Sequence, residues 1–240
     1  MITSKQKTNY DTIKKITLEK PNNAGGYWQG ITHKHLIDSL TKIMEEKRWV
    51  ISNSTFYLSN DEADMAGTFD ISIPSIQIPE GLTLSLGFLT SNAMRHSLKI
   101  VIGTVVLICL NGMVVGEILM KKKHTIQFDL ITELIIALNE YERRAKLIPN
   151  IIKEMKEYTF NTIENEAEHI LMEAGRLNIM PWSRIGQVDK EYRVPSYPEF
   201  EGRNCWSLYN AFTLIVKQSP PLKQMEMMNQ FRNLLPITDK

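Results

Sequence analysis

The chain has 240 residues, of which 43% are hydrophobic and 23% charged, and its formal net charge is +1. That is long enough to bury a core without disulfide or metal staples. The near-zero charge excludes a global pull onto nucleic acid or membrane, so any anion site has to come from local clustering. The two cysteines, Cys109 and Cys205, lie far apart, and no paired Cys/His spacing suggests zinc. The amino-terminal stretch lacks the apolar segment of a signal peptide. The most apolar window, around Ile100 to Val115, is too short to span a bilayer and is interrupted by Asn111. A reducing, cytoplasmic setting with no membrane association is expected.

In chain order, residues 1–31 are polar, carry Pro21 and the Gly25-Gly26 pair, and read as a flexible or loosely docked arm. Thr32 is placed to cap a helix running to about Arg48, with Leu36, Ile37, Leu40, Ile43 and Met44 on one face. The apolar period then shortens to two. Trp49, Ile51, Phe56 and Leu58 suggest a first strand, and Ser59 to Gly67 has loop chemistry. Residues 68–73 and 82–88 alternate apolar and polar, with Phe69, Ile71, Ile73, Leu82, Leu84, Leu86 and Phe88 facing inward and Thr83, Ser85 and Gly87 outward. From Leu98 to Cys109 the run is nearly continuous and rich in β-branched residues, which favours a buried strand. A helical stripe follows over about 125–146, then an amphipathic stretch over about 150–177. A long loop is expected near 181–203, then a helix over 204–216 and a last short helix. The expected class is α+β: an antiparallel sheet of about three to five strands covered by helices, with a helical C-terminal half. Its parts are an arm (1–31), an α+β core (32–146) and a helical region (147–240).

No nucleophile elbow, HExxH, phosphate loop or dinucleotide fingerprint is present, so no enzyme, cofactor or metal is expected. His33 and His35 diverge at a helix start, and His169 sits among acids on an ordinary charged helix. Cys109 lies in an apolar run and reads as an inert thiol. Asp61, Glu62 and Asp64 could serve a metal-dependent nuclease, but three acids in one turn also describe a solvated hairpin tip.

The basic residues cluster. Arg95, His96 and Lys99 precede the apolar strand, and Lys121, Lys122, Lys123 and His124 follow the Asn111-Gly112 turn signal. A chain reversal at Asn111-Gly112 would bring the two clusters to one edge of the sheet, where they could grip phosphates; otherwise they are solvated strand or helix ends. The second cluster is also placed to join the N-terminal amides of the next helix in an anion site. Trp182 beside Arg184, and Tyr197 near Arg203, could stack on bases or simply pin the loop.

The stretches "LICLNGMVVG", "MKKKHTIQFDLITELI" and "EGRNCWSLYNAFTLIV" resemble the signature of a phage- and plasmid-borne family of YafZ/YfjQ-like proteins. The resemblance spans roughly Leu82 to Val216 and implies a mobile-element setting, but no catalytic residues. The order of helix, antiparallel strands and long helix is similar to the core of single-strand annealing proteins of the Rad52 and Redβ kind. That implies an oligomeric protein holding single-stranded DNA by its backbone without nucleotide or metal. The alternative is an anti-defence protein whose partner is a host or phage protein.

Overall fold

The structure, a computed structural model, describes residues 5–22, 24–106, 117–219 and 221–237. The Asn111-Gly112 turn and Cys109 lie outside the described residues. The chain divides into two compact units: Met1–Ile78, Thr83–Thr104 and Glu117–Lys146 form the first, and Leu147–Lys240 the bulk of the second. No helix among the described residues is long and apolar enough to cross a membrane.

The first unit is a six-stranded sheet: β1 (Lys5–Thr8), β2 (Val50–Ser59), β3 (Asp64–Ser72), β4 (Leu82–Ser91), β5 (Leu98–Val106) and β6 (Glu117–Lys122). Spatial order equals sequence order, β1-β2-β3-β4-β5-β6, so the sheet is an open meander. The α+β class expected from the sequence holds, with one strand more than the three to five expected. All but one of the residues expected inside are buried; Leu82, at the start of β4, is only partly so. Phe69, Ile71, Ile73, Leu84, Leu86 and Phe88 are all buried. Phe56, Phe69 and Phe88 form an aromatic triangle with centroids 5.3–6.2 Å apart. Gly67 makes the triangle possible: a Cβ there would lie 2.4 Å from the tip of the Phe88 ring.

Helix α1 (Tyr10–Ile13) packs on α2 (His33–Glu46), which packs on α3 (Leu130–Ala145). Thr32 caps α2 as expected, its hydroxyl accepting from the His35 amide. The buried face of α2 carries Leu36, Ile37, Leu40, Ile43 and Met44. Tyr141 of α3 is fully buried, stacks at a tilt on Trp49, and donates its hydroxyl to the Ser85 carbonyl at 3.0 Å. Burial pushes the Tyr141 phenol well above its ordinary range, so it stays a donor.

Three expectations are corrected here. Residues 1–31 are not simply a loose arm: β1 pairs with β2 from Lys5↔Ser59 to Thr8↔Phe56, and Trp28 bridges to Thr125. Backbone pairing of a short polar edge strand leaves no apolar period to read. The loop expected over 59–67 is only a tight turn, with Glu62 at φ 56°, and β3 already starts at Asp64. Strand β4 is not one-sided, because Ser85 is 2% exposed and Gly87 is also buried. Small and hydroxyl-bearing side chains tolerate burial, so their alternation with leucines did not mark a solvent face.

The second unit is helical: α4 (Ile148–Glu157), α5 (Glu166–Arg176), α6 (Trp182–Arg193), a 3-10 turn (Pro198–Phe200), α7 (Cys205–Val216) and α8 (Pro221–Arg232). Helix α7 is buried almost along its whole length and contacts α4, α6 and α8. Phe212 stacks flat on Phe231 of α8, centroids 3.7 Å apart. Trp206 and Tyr209 are core residues. The Cys205 thiol is buried and pushed up to about 12 by desolvation, which makes it unreactive.

Two further expectations fail in this unit. The stretch 150–177 is two helices, broken between Tyr158 and Asn165, which adopts φ 50°. The long loop near 181–203 is mostly helix α6. Only Ile185 and Val188 of that helix go inside, so its apolar stripe is too thin to show a 3.6 period.

Candidate functional site

The end of the sheet where β4 turns into β5 carries the densest chemistry. Antiparallel pairing of β5 with β6 sets Leu98 opposite Lys122 and Lys99 opposite Lys121. Extending that register by a few residues brings the turn before β5 beside the segment after β6. A cleft of about 390 Å³ opens there, lined by Gly25, Tyr27, Trp28, Ser91, Met94, Arg95, His96, Ser97, Lys123, His124 and Thr125. Arg95 and His96 of one basic cluster and Lys123 and His124 of the other line it together, while Lys99, Lys121 and Lys122 do not.

Tyr27 and Trp28 form a wall that sequence reasoning missed. The Gln29 amide donates to the His124 carbonyl at 3.3 Å, and the Ile126 amide to the Tyr27 carbonyl at 3.0 Å. These bonds lay residues 27–29 along 124–126. The Trp28 ring fits because residue 30 is glycine: a Cβ there would come within 2.5 Å of the ring edge. The available signal was an aromatic pair directly after Gly25-Gly26 in an otherwise polar stretch. Met94, at φ 60°, holds the other side of the cleft and is 47% exposed. A non-glycine residue there stores strain of about 1 kcal/mol.

The cations differ in how they are held. Arg95 pairs with Asp61 through Nη2, and its Nε lies 3.3 Å from Oδ2 of Asp64. The second contact lacks hydrogen-bond alignment, and both Asp64 oxygens are buried without a hydrogen-bond donor. Asp61 also accepts from the Ser59 hydroxyl and the Ala63 amide, and with Arg95 these donors hold its carboxyl below the usual range. Lys122 donates to Glu133 of α3 at 2.7 Å. Lys99 is only 8% exposed, so most of its side chain packs into the sheet, unlike the surface phosphate contact expected of it. Lys121 and Lys123 are exposed, and no ion pair involves either among the described residues.

The expectation that Lys121 to His124 abut a helix N-terminus is corrected. Helix α3 begins six residues after His124, and Asp129 caps it by accepting from the Ile131 and Thr132 amides. Its first amides are already occupied. Trp182 and Arg184 belong to the second unit. The Trp182 ring lies against Gly175 with 58% of the residue exposed, and Arg184 donates to the Ser219 hydroxyl at 2.6 Å.

Two histidines, His33 and His124, are buried, and His124 lines the cleft. His33 Nε2 must donate to the Glu62 carbonyl at 2.8 Å, which leaves Nδ1 bare and without a partner. His124 Nε2 meets the Thr90 hydroxyl at 3.1 Å, and its Nδ1 also lacks a partner. Burial lowers both imidazoles, His124 to about 4, with the nearby His33 adding repulsion. Both folded values lie below the ordinary 6.5, so the unfolded chain binds these protons more readily. Stability is then full above about pH 6.5 and falls as pH drops toward 4. Urea unfolding should show a loss of roughly 2 kcal/mol between pH 7.5 and 5 from His124. His124→Gln should flatten that part of the profile.

Asp61, Glu62 and Asp64 do not assemble a metal centre. Asp61 and Asp64 turn to Arg95, and no group of three His, Cys, Asp or Glu suited to a metal exists among the described residues. The fold and cleft define an α+β protein with a cationic, aromatic-walled pocket at one end of an antiparallel meander. Compared with protein-family models, with curated proteins and with solved structures, the chain matched none.

Proposed function

We propose that the protein binds single-stranded DNA as an annealing-like recombination protein of a mobile element. The observation that carries this reading is the convergence of Arg95, His96, Lys123 and His124 with Tyr27 and Trp28 in one cleft. An exposed cation, Lys123, beside the exposed Tyr27 ring suits a single strand, whose phosphates need charge and whose bases need a planar surface. Lys121 adds a second exposed cation on the neighbouring strand. The resemblance to single-strand annealing proteins points the same way.

Fluorescence anisotropy with a labelled oligonucleotide tests the proposal. Binding should be clear at low salt, and the logarithm of the affinity should fall linearly with that of salt concentration, by about 0.7 per phosphate neutralised. Lys121→Ala and Lys123→Ala should each weaken binding and lower that slope by roughly one contact. No binding at low salt would end the reading. Capture of a host protein that persists after nuclease treatment, with no DNA affinity, would favour an anti-defence role instead.

A further inference from the structure

Arg95 lines the cleft, yet its guanidinium is already engaged on two sides. The two acids that hold it differ. Asp64 is 1% exposed, and its Oδ2 lies 3.3 Å from Arg95 Nε. Asp61 meets Nη2 with a side chain that is 54% exposed. One contact is buried, and the other stands in solvent.

The two carboxylate oxygens of Asp61 also divide their work. Oδ1 accepts from the Ser59 hydroxyl at 2.5 Å and from the Ala63 amide at 3.3 Å. Oδ2 is the atom that Arg95 meets. The turn has other ties besides Arg95. The Glu62 amide donates to the Ser59 carbonyl at 2.9 Å, and the Asn92 amide to the Ala63 carbonyl at 2.8 Å. A carboxylate oxygen fixed in front of an arginine fork presents what a phosphate oxygen would present. An ion pair this exposed gains little over water, so an incoming phosphate can replace it.

We infer that Asp61 is an internal competitor for the phosphate seat on Arg95. In the free protein it occupies Nη2, and a bound strand displaces it while Asp64 keeps Nε in place. The inference rests on the strand-binding reading and adds its regulation: an acid of the same chain holds the affinity of the cleft down, and whatever draws Asp61 away from Arg95 raises it.

Fluorescence anisotropy with labelled oligothymidylate at low salt tests this on the full chain. Asp61→Asn keeps Oδ1 for the Ser59 and Ala63 bonds and replaces the oxygen that faces Arg95. It should bind about threefold to fivefold more tightly than the wild type, the upper range for an exposed ion pair. The gain should shrink as salt rises, because salt screens the pair being exchanged. Glu62→Gln removes the same charge from the next residue and should change affinity far less. In the Arg95→Ala/Asp64→Asn background, Asp61→Asn should give no gain at all. Unchanged or weaker binding by folded Asp61→Asn would overturn the competitor while leaving strand binding intact. A gain that Glu62→Gln matches, or that persists without Arg95, would be a general charge effect and would overturn it as well. Should Asp61→Asn fail to fold, Asp61→Ser, whose hydroxyl can still accept from the Ala63 amide, decides the matter. If neither the wild type nor the variant binds, the strand-binding reading falls and the competitor with it.

Discussion

Phe69→Ala is expected to remove about 3–5 kcal/mol from the stability of the sheet unit. Phe69 is 2% exposed and touches both partners of the aromatic triangle, Phe56 at 5.9 Å and Phe88 at 5.3 Å between centroids. Deleting the ring forfeits its transfer energy and two aromatic contacts, each worth about 0.5–1.5 kcal/mol beyond area. Collapse cannot fill the gap, because Gly67 beside the triangle has no side chain to offer. Domains of this size have total stabilities of about 5–15 kcal/mol, so the variant should sit near the edge of unfolding. The chain has two units, so one global transition is a poor probe. Amide hydrogen exchange across β2, β3 and β4 is the better measurement. Protection that survives in those strands would show that the triangle is not the keystone of the sheet.

The second large effect concerns Arg95. Arg95→Ala should destabilise the unit by about 1–3 kcal/mol, because it strands the Asp64 carboxylate. Asp64 is 1% exposed, and Arg95 is its only ion-pair partner among the described residues. The Arg95 side chain is 40% exposed, so solvent screening keeps the cost below that of a fully buried pair. Its contact with Asp61 adds little, since the Asp61 side chain is 54% exposed. Asp64→Asn in the Arg95→Ala background should recover most of the loss, and a double-mutant cycle in urea isolates the coupling. No coupling would mean that Asp64 draws its compensation from elsewhere. The cycle also matters for function. Loss of DNA binding in Arg95→Ala alone mixes a missing cation with a damaged cleft, whereas the double variant restores the frame and leaves only the missing cation.

Much of the sheet was legible because its core follows a period of two. Phe69, Ile71, Leu84 and Leu86 announced their face, and Thr32 announced the start of α2 through its hydroxyl. What could not be read was structure made by backbone pairing or by sparse burial. Strand β1 shows no alternation, and α6 puts only Ile185 and Val188 inside. The cleft was half legible. The basic residues stood out as clusters, and the β5–β6 register sets Lys99 opposite Lys121. Nothing local revealed that Asp61 and Asp64 hold Arg95, that Lys99 packs into the sheet, or that Tyr27 and Trp28 lie against residues 124–126. Those are contacts between residues distant in sequence, set by tertiary packing that no periodicity encodes.

The meander has a consequence for how the protein is made. From β2 onward each strand docks onto the one synthesised just before it, so that part of the sheet can form on a chain leaving the ribosome with little loop-closure entropy at each step, whereas β1 reaches β2 only across residues 9–49. The cleft does not share in that economy. Its walls come from residues 25–28 at one end of the sheet unit and 123–125 near the other. A nascent or proteolytically nicked chain can therefore carry most of the sheet and still hold no ligand, and competence arrives only when the last strand is in place.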